Sequence, residues 1–332
     1  MKKASRFNIW ELIKILLAIS LIMLIIAQVN LNDLVNLFRN VSPGWLIASF
    51  VVYFLMSMTK ALQYYILIGG QISYPRMLYI VIVQNTVSNF IANSAGIASY
   101  LATLKVEEGI KVSRAAIIFV ITKVMDVFFI GLFLCISSVI LWTRVQNLQP
   151  VLVVLLLGIG LLVFLFAATL LFRKSFVRIV ESVLQTFRVL KFPFLQRGME
   201  SLKVLAEQDH RLVLQMVFQA FSLSSLYFFL VMVLSFISYR LFSIPFGVWV
   251  IIFVSCLLQL ISLVPISVFG GLGVNEISLV YLYGFFGLSQ SVIPAIAVGI
   301  RVLSYLSGVS GLWYLPAFSY FTRNKKTVDE VL

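Results

Sequence analysis

One histidine, His210, and two cysteines, Cys135 and Cys256, leave little material for metal coordination or thiol chemistry. Both cysteines lie in apolar runs, so neither a disulfide nor a metal site is indicated. His210 sits among other charged residues in a polar connector, which argues against a zinc centre or a histidine-based triad. Charge itself is scarce: 11% of the 332 residues, with only 12 acidic side chains against 25 basic ones. HExxH, GxSxG, Walker and Rossmann patterns are all missing, and no aspartyl pair stands out. The sequence therefore predicts no cofactor, no metal, no nucleotide loop and no readable catalytic constellation.

What is abundant is hydrocarbon. Hydrophobic residues make up 61% of the chain, mean hydropathy is +1.07, and several runs reach the roughly 20 residues that cross a bilayer as a helix. The fold class follows: an all-α, polytopic helical membrane protein. The net charge of +13 would suggest nucleic acid in a soluble chain. Here most bases flank the apolar runs, as membrane orientation requires, with attraction to anionic headgroups as a second consequence. The basic start "MKKASRFNIWELIKILLAIS" precedes an apolar stretch too long for a signal peptide and without a small-residue cleavage site, so an uncleaved first span is expected.

Full spans are predicted at 9–29, 44–67, 115–142, 151–172, 213–239 and 292–316. Two other apolar regions, 77–104 and 248–288, are interrupted, the first by polar residues and Gly96, the second by Pro265 and Gly270, Gly271 and Gly273. Bases concentrate in 173–212, at the N-terminus, at Lys105, Lys111 and Arg114, and in the tail 317–332, which assigns these to the cytoplasm. The connectors near 30–43, 143–150 and 240–247 each hold one base and are assigned outside. Both assignments hold only if each interrupted region returns to the side it came from, as a re-entrant helical hairpin with its non-helical tip shielded by protein or water. The order is then span, span, hairpin, span, twice, with the second set inverted: repeats at 9–142 and 151–316 within one membrane domain, joined by an amphipathic cytoplasmic connector. "GIKVSRAAIIFVITKVMD" and "GLSQSVIPAIAVGIRVLS" align Gly109 with Gly287, Ser113 with Ser291 and Lys123 with Arg301, each glycine preceding its base by 14 positions (109 to 123, 287 to 301).

Candidate functional residues are the polar groups in this hydrocarbon. Glu276 is the sole acid of the second hairpin, and Arg301 on the last span is its natural partner, since guanidinium suits carboxylate and phosphate alike. Tyr305 shares the face of Arg301 at i+4. Gly270, Gly271, Gly273 and Asn275 precede or open a helix, whose N-terminus attracts anions; the alternative is a tight turn only. Lys123 and Asp126 share a face three apart, as an internal ion pair or as substrate contacts. Gln84, Asn85, Ser88, Asn89 and then Asn93 and Ser94 form a polar stripe on the first hairpin, serving as a path or as interhelical glue. Lys60 is expected to snorkel to the cytoplasm.

The run "PISVFGGLGVNE", followed by "GLSQ…AVGIRVLSYLSG", resembles the C-terminal signature of the lysylphosphatidylglycerol synthase transmembrane-region family, also called flippase-like. Pro265, Gly270, Gly271, Gly273, Glu276, Arg301 and Tyr305 match that signature in order. "TKVMDVFF" is similar to the family's Arg-x-x-Asp segment, with Lys123 in the arginine place. The family's first hairpin tip carries Pro-x-Arg-x-Gly-Glu, whereas this chain reads "ANSAGIASY", keeping Gly96 without the Arg and Glu. The resemblance implies translocation of an anionic or amino-acylated lipid in a prokaryotic cytoplasmic membrane, with both termini cytoplasmic. It also implies anionic phospholipids as partners, together with a possible lipid- or glycan-synthesis enzyme. The soluble aminoacyl-transfer domain of bifunctional members is not expected. A membrane part of a lipid-modifying enzyme, or a non-transporting partner of a synthase, is the alternative.

Overall fold

The computed structural model describes residues 35, 37–39, 41–186, 210–263, 273–289, 291–316 and 318. The expected span 9–29, Pro265, Gly270 and Gly271, the amphipathic stretch 194–208 and residues 319–332 lie outside the described residues. Among the described residues every regular element is helical: α1 Pro43–Leu67, α2 Tyr74–Phe90, α3 Asn93–Val106, α4 Val112–Ile140, α5 Gln149–Thr186, α6 His210–Leu241, α7 Val248–Leu263, α8 Val274–Phe285 and α9 Ile293–Ser310.

Among the described residues five stretches are long and apolar enough to cross a membrane: Pro43–Leu67, Val112–Ile140, Gln146–Ala168, Val213–Leu241 and Ile293–Pro316. They match the five predicted spans that fall on described residues. The chain is an all-α, multi-pass integral membrane protein. Helix α5 runs 38 residues to Thr186, roughly 57 Å at 1.5 Å per residue. It thus continues well past a hydrocarbon core of about 30 Å, so the first part of the 173–212 connector is an extension of the span itself.

The two interrupted regions are pairs of short helices. At 17, 14, 16 and 12 residues, α2, α3, α7 and α8 all fall below the roughly 20 needed to span. Helix α7 packs on α8, and α3 on α2 at Gly96. A Cβ at Gly96 would lie 1.8 Å from Ser88 Oγ and 2.7 Å from the carbonyl oxygen of Gln84. The break in the first hairpin falls at Ile91–Ala92 rather than at Gly96, which sits in the first turn of α3. Its glycine is required by close helix approach, not by a turn. At the open end of this hairpin Arg76 pairs with both Glu107 and Glu108.

The described chain forms two compact units. The first draws on the described residues within 1–57, 79–100 and 230–332. Its interior is aromatic: Tyr239 and Phe246 meet Tyr283 edge-on at 5.6 and 5.5 Å, and Phe253 meets Phe286 at 5.7 Å. Glycines bring α9 close to its neighbours, with Gly299 against Phe242 and Gly308 against Asn89. On the opposite face of α9 from Arg301, Leu303 and Leu306 line an apolar cavity of about 300 Å³ together with Phe38, Pro43, Leu46 and Phe242. The second unit draws on 58–78 and 101–229. Phe129 there packs against Phe221 at 4.9 Å and Phe133 against Phe228 at 4.8 Å, joining α4 to α6. Gly131 lets Ile159 of α5 approach to 2.6 Å from where a Cβ would stand.

Candidate functional site

In the first unit the site begins with a helix that starts inside the apolar region. Gly273 caps α8 with φ +87°, a conformation that side chains other than glycine's rarely adopt. Three residues later, Glu276 turns its Oε2 back to accept the Gly273 N–H at 2.6 Å. This satisfies one of the orphan donors of the helix start and places negative charge at the positive end of the helix dipole. The other carboxylate oxygen, Oε1, accepts from Arg301 Nε. Both side chains are withdrawn from the surface, 7% and 12% exposed. Buried like this, each charge depends on the other, because a lone ion in such surroundings is strongly disfavoured.

Arg301 extends along α9, and its guanidinium lies 5.6 Å from the ring of Tyr305, the i+4 neighbour. Tyr305 in turn stacks on Phe90 at 5.1 Å with 17° between the planes. Phe90 ends α2, so the aromatic pair carries the Glu276–Arg301 group to the tip of the first hairpin. The start of α3 is joined to the end of α7. Asn93 Nδ2 donates to the carbonyl of Ser262 at 2.9 Å, and Ser262 Oγ donates to Asn275 Oδ1 at 3.2 Å. Asn89 donates to the Tyr53 hydroxyl at 3.2 Å, and Asn85 to Ser57 Oγ at 3.3 Å. The polar stripe of α2 is thereby used as glue toward α1, except for the buried Gln84 Oε1, which has no hydrogen-bond partner.

The second unit holds a different cluster. Lys60 Nζ donates to both oxygens of Asp126 at 2.7 Å and to Gln63 Oε1 at 2.9 Å, with the Tyr227 ring centred 4.4 Å away. Gln63 Nε2 donates to Ser224 Oγ at 2.8 Å and to the Ala220 carbonyl at 2.9 Å. Ser224 Oγ closes the circuit by donating to Asp126 Oδ1 at 2.8 Å. Lys123 stands at 3.7 Å from Asp126 Oδ2. Lys60 is 6% exposed, which overturns the snorkelling expected of it. Its ammonium has a carboxylate and an amide within reach in the interior, so it gains nothing by extending to water.

The expected residues therefore divide between the units. Glu276, Arg301, Tyr305, Gly273, Asn275, Asn89, Asn93 and Gly96 belong to the first, and Lys123 and Asp126 to the second. Sequence reasoning missed Lys60 and Ser224 as partners of Asp126, and Gln63 and Tyr227 as partners of Lys60. The available signal was spacing: Lys60 and Gln63 are three apart, as are Ser224 and Tyr227, and each pair puts polar groups on one face of an apolar span. Among the described residues no group of three or more His, Cys, Asp or Glu could hold a metal ion.

No curated protein and no solved structure matches the chain. The sequence from residue 12 to 311 does match the family model of the lysylphosphatidylglycerol synthase TM region. That span covers the helices carrying Glu276, Arg301, Lys60 and Asp126 alike, and the chain belongs to the lysylphosphatidylglycerol synthase TM-region family.

Proposed function

We propose that this membrane protein moves a phospholipid, or another lipid with an anionic or amino-acylated headgroup, from one leaflet to the other. A lipid-related membrane role fits the family. The observation that carries transport is the buried Glu276–Arg301 pair at the start of a helix too short to span, next to the point where two hairpin tips share hydrogen bonds. Broken helices whose N-termini meet inside a membrane commonly form substrate sites, because exposed backbone there is tolerated only against protein or water. A phosphate reaching Arg301 would replace Glu276 as its anionic partner. Glu276 would keep the Gly273 N–H, so neither charge would be stranded during the exchange.

In this reading 9–142 and 151–316 are inverted repeats, the hairpins are re-entrant, and both termini face the cytoplasm of a prokaryotic cell. Gly109 and Gly287, aligned by sequence, both have positive φ, +66° and +87°, and both stand between a hairpin's second helix and the next span. Equivalent turns at equivalent places support the repeat. Anionic phospholipid is the proposed partner, with a lipid- or glycan-synthesis enzyme as a source or consumer of the cargo.

Reconstitution into liposomes with headgroup-labelled fluorescent lipids tests the proposal. Wild-type protein is expected to accelerate movement between leaflets, and Arg301→Ala or Glu276→Gln to abolish it while the protein remains monodisperse. Movement unchanged in both variants would refute the role of this pair. Covalently altered lipid would point to a lipid-modifying enzyme instead.

A further inference from the structure

The second cluster contains two lysines and one carboxylate. Asp126 spends both oxygens on Lys60 at 2.7 Å and also accepts from Ser224. Lys123 is left at 3.7 Å, a distance that permits attraction but not a hydrogen bond. Lys60 and Asp126 are closed in, with side chains 8% and 10% exposed, whereas the Lys123 side chain is 40% exposed. Lys123 also lies 11 positions into α4, counting from Val112, roughly 16 Å along the helix. Its own length cannot carry the ammonium to water past the end of that span. Its surroundings on α4 are Phe119, whose ring lies 5.6 Å away, and the exposed Val120. The cluster thus has one positive charge more than it has negative, and the surplus sits at the residue that opens outward.

We propose that Lys123 binds a phosphate group at a second site, and that Lys60 is the standing counter-ion of Asp126 that leaves Lys123 available for it. Gln63, Ser224 and Tyr227 position Lys60: the amide and the ring hold its ammonium on Asp126, and Ser224 fixes the carboxylate from the other side. Lys60 is therefore a positioning residue that touches no ligand. Without it, Asp126 would capture Lys123 and the site would be lost with Lys123 still present. The inference rests on the lipid-headgroup reading only in choosing phosphate as the anion.

The experiment is a titration of the full chain, delipidated in detergent, with phosphatidylglycerol or phosphatidylcholine, followed by native mass spectrometry in an Arg301→Ala background that removes the other basic site. The parent is expected to prefer phosphatidylglycerol. Lys123→Gln should weaken its binding about tenfold, the loss of one charge-assisted contact. Lys60→Met should weaken it similarly, and Lys60→Met with Asp126→Asn should restore it. Thermal unfolding of the same variants distinguishes positioning from a merely structural role: binding should fall in Lys60→Met under conditions where that variant is fully folded, and a binding loss that only tracks the loss of folded protein overturns the proposal. Competition by inorganic phosphate assigns the site to the free ion, and its failure to compete assigns it to the lipid headgroup; either supports phosphate recognition. Binding unchanged in Lys123→Gln or in Lys60→Met, or no recovery in a double variant that stays monodisperse, overturns the proposal. Because the readout is binding, a chain that titrates normally yet moves no lipid refutes the transport reading alone.

Discussion

Lys60–Asp126 ties together continuous helices, α1 and α4, with α6 supplying Ser224 and Tyr227. Glu276–Arg301 ties the start of a broken helix to a span. The first pair is surrounded by further donors and acceptors at 2.8–2.9 Å. Among the described residues, the second is joined by the Gly273 N–H on Glu276 and by the Tyr305 ring beside Arg301. The contrast teaches that a buried ion pair can be a fastening or a replaceable contact, according to whether continuous helices or a broken one carry it. A fastening has its remaining valences filled by side chains on long helices, so exchange would have to break several contacts at once. A replaceable contact has partners on an element that can shift.

The comparison can be broken most severely at Asp126. Asp126→Ala leaves Lys60 and Lys123 without an anion, and a loss of about 3–5 kcal/mol is expected from breaking a buried pair on one side. Thermal unfolding in detergent would read it, and a loss near zero would mean that the cluster is not a fastening. Arg301→Ala also strands a buried charge, with up to about 3–5 kcal/mol at stake; because Glu276 keeps the Gly273 N–H, its loss should fall below that of Asp126→Ala, while headgroup movement is abolished. Equal destabilisation by the two variants would erase the distinction drawn here.

Smaller changes sharpen it. Gly96→Ala drives a Cβ into Ser88 and into the Gln84 carbonyl, and about 1–3 kcal/mol of overpacking is expected. Adding Ser88→Ala should recover only part of this, since the carbonyl cannot be removed. Gly273→Ala asks an L-residue to hold φ +87°, at a cost of about 1–3 kcal/mol, with lipid movement falling further than stability because the Glu276 cap is displaced. Glu107→Gln is the least of the series. Its contact with Arg76 is half exposed, so at most about 1 kcal/mol is expected, vanishing at high salt.

The spans could be read from sequence because length and apolarity alone determine them, and five coincide with helices of the structure. The hairpins were legible for a less direct reason. Lysine and arginine placement left an odd number of crossings unless two regions turned back, and their helices are indeed too short to span. Glu276 and Arg301 could be matched because each was conspicuous on an apolar segment. Lys60 was misread for the converse reason. Its partner is 66 positions away, and nothing local says which face of α1 meets α4. A lysine near a span end looks the same whether it reaches out or pairs inward. Gly96 was singled out rightly as special, yet its place at a helix crossing rather than in a turn depends on where Ser88 lies across the gap.

The link from Asn93 to the Ser262 carbonyl has a mechanical corollary. The last carbonyls of a helix must find donors beyond their own turn, and α7 finds one at the start of α3. A neutral bond of this kind contributes about 1 kcal/mol, so thermal motion can open it readily, yet while it stands a shove on either tip is felt by the other. Under the proposed transport such a bond would serve as a light latch, weak enough to release in each cycle and sufficient to keep the two helix ends in step between releases.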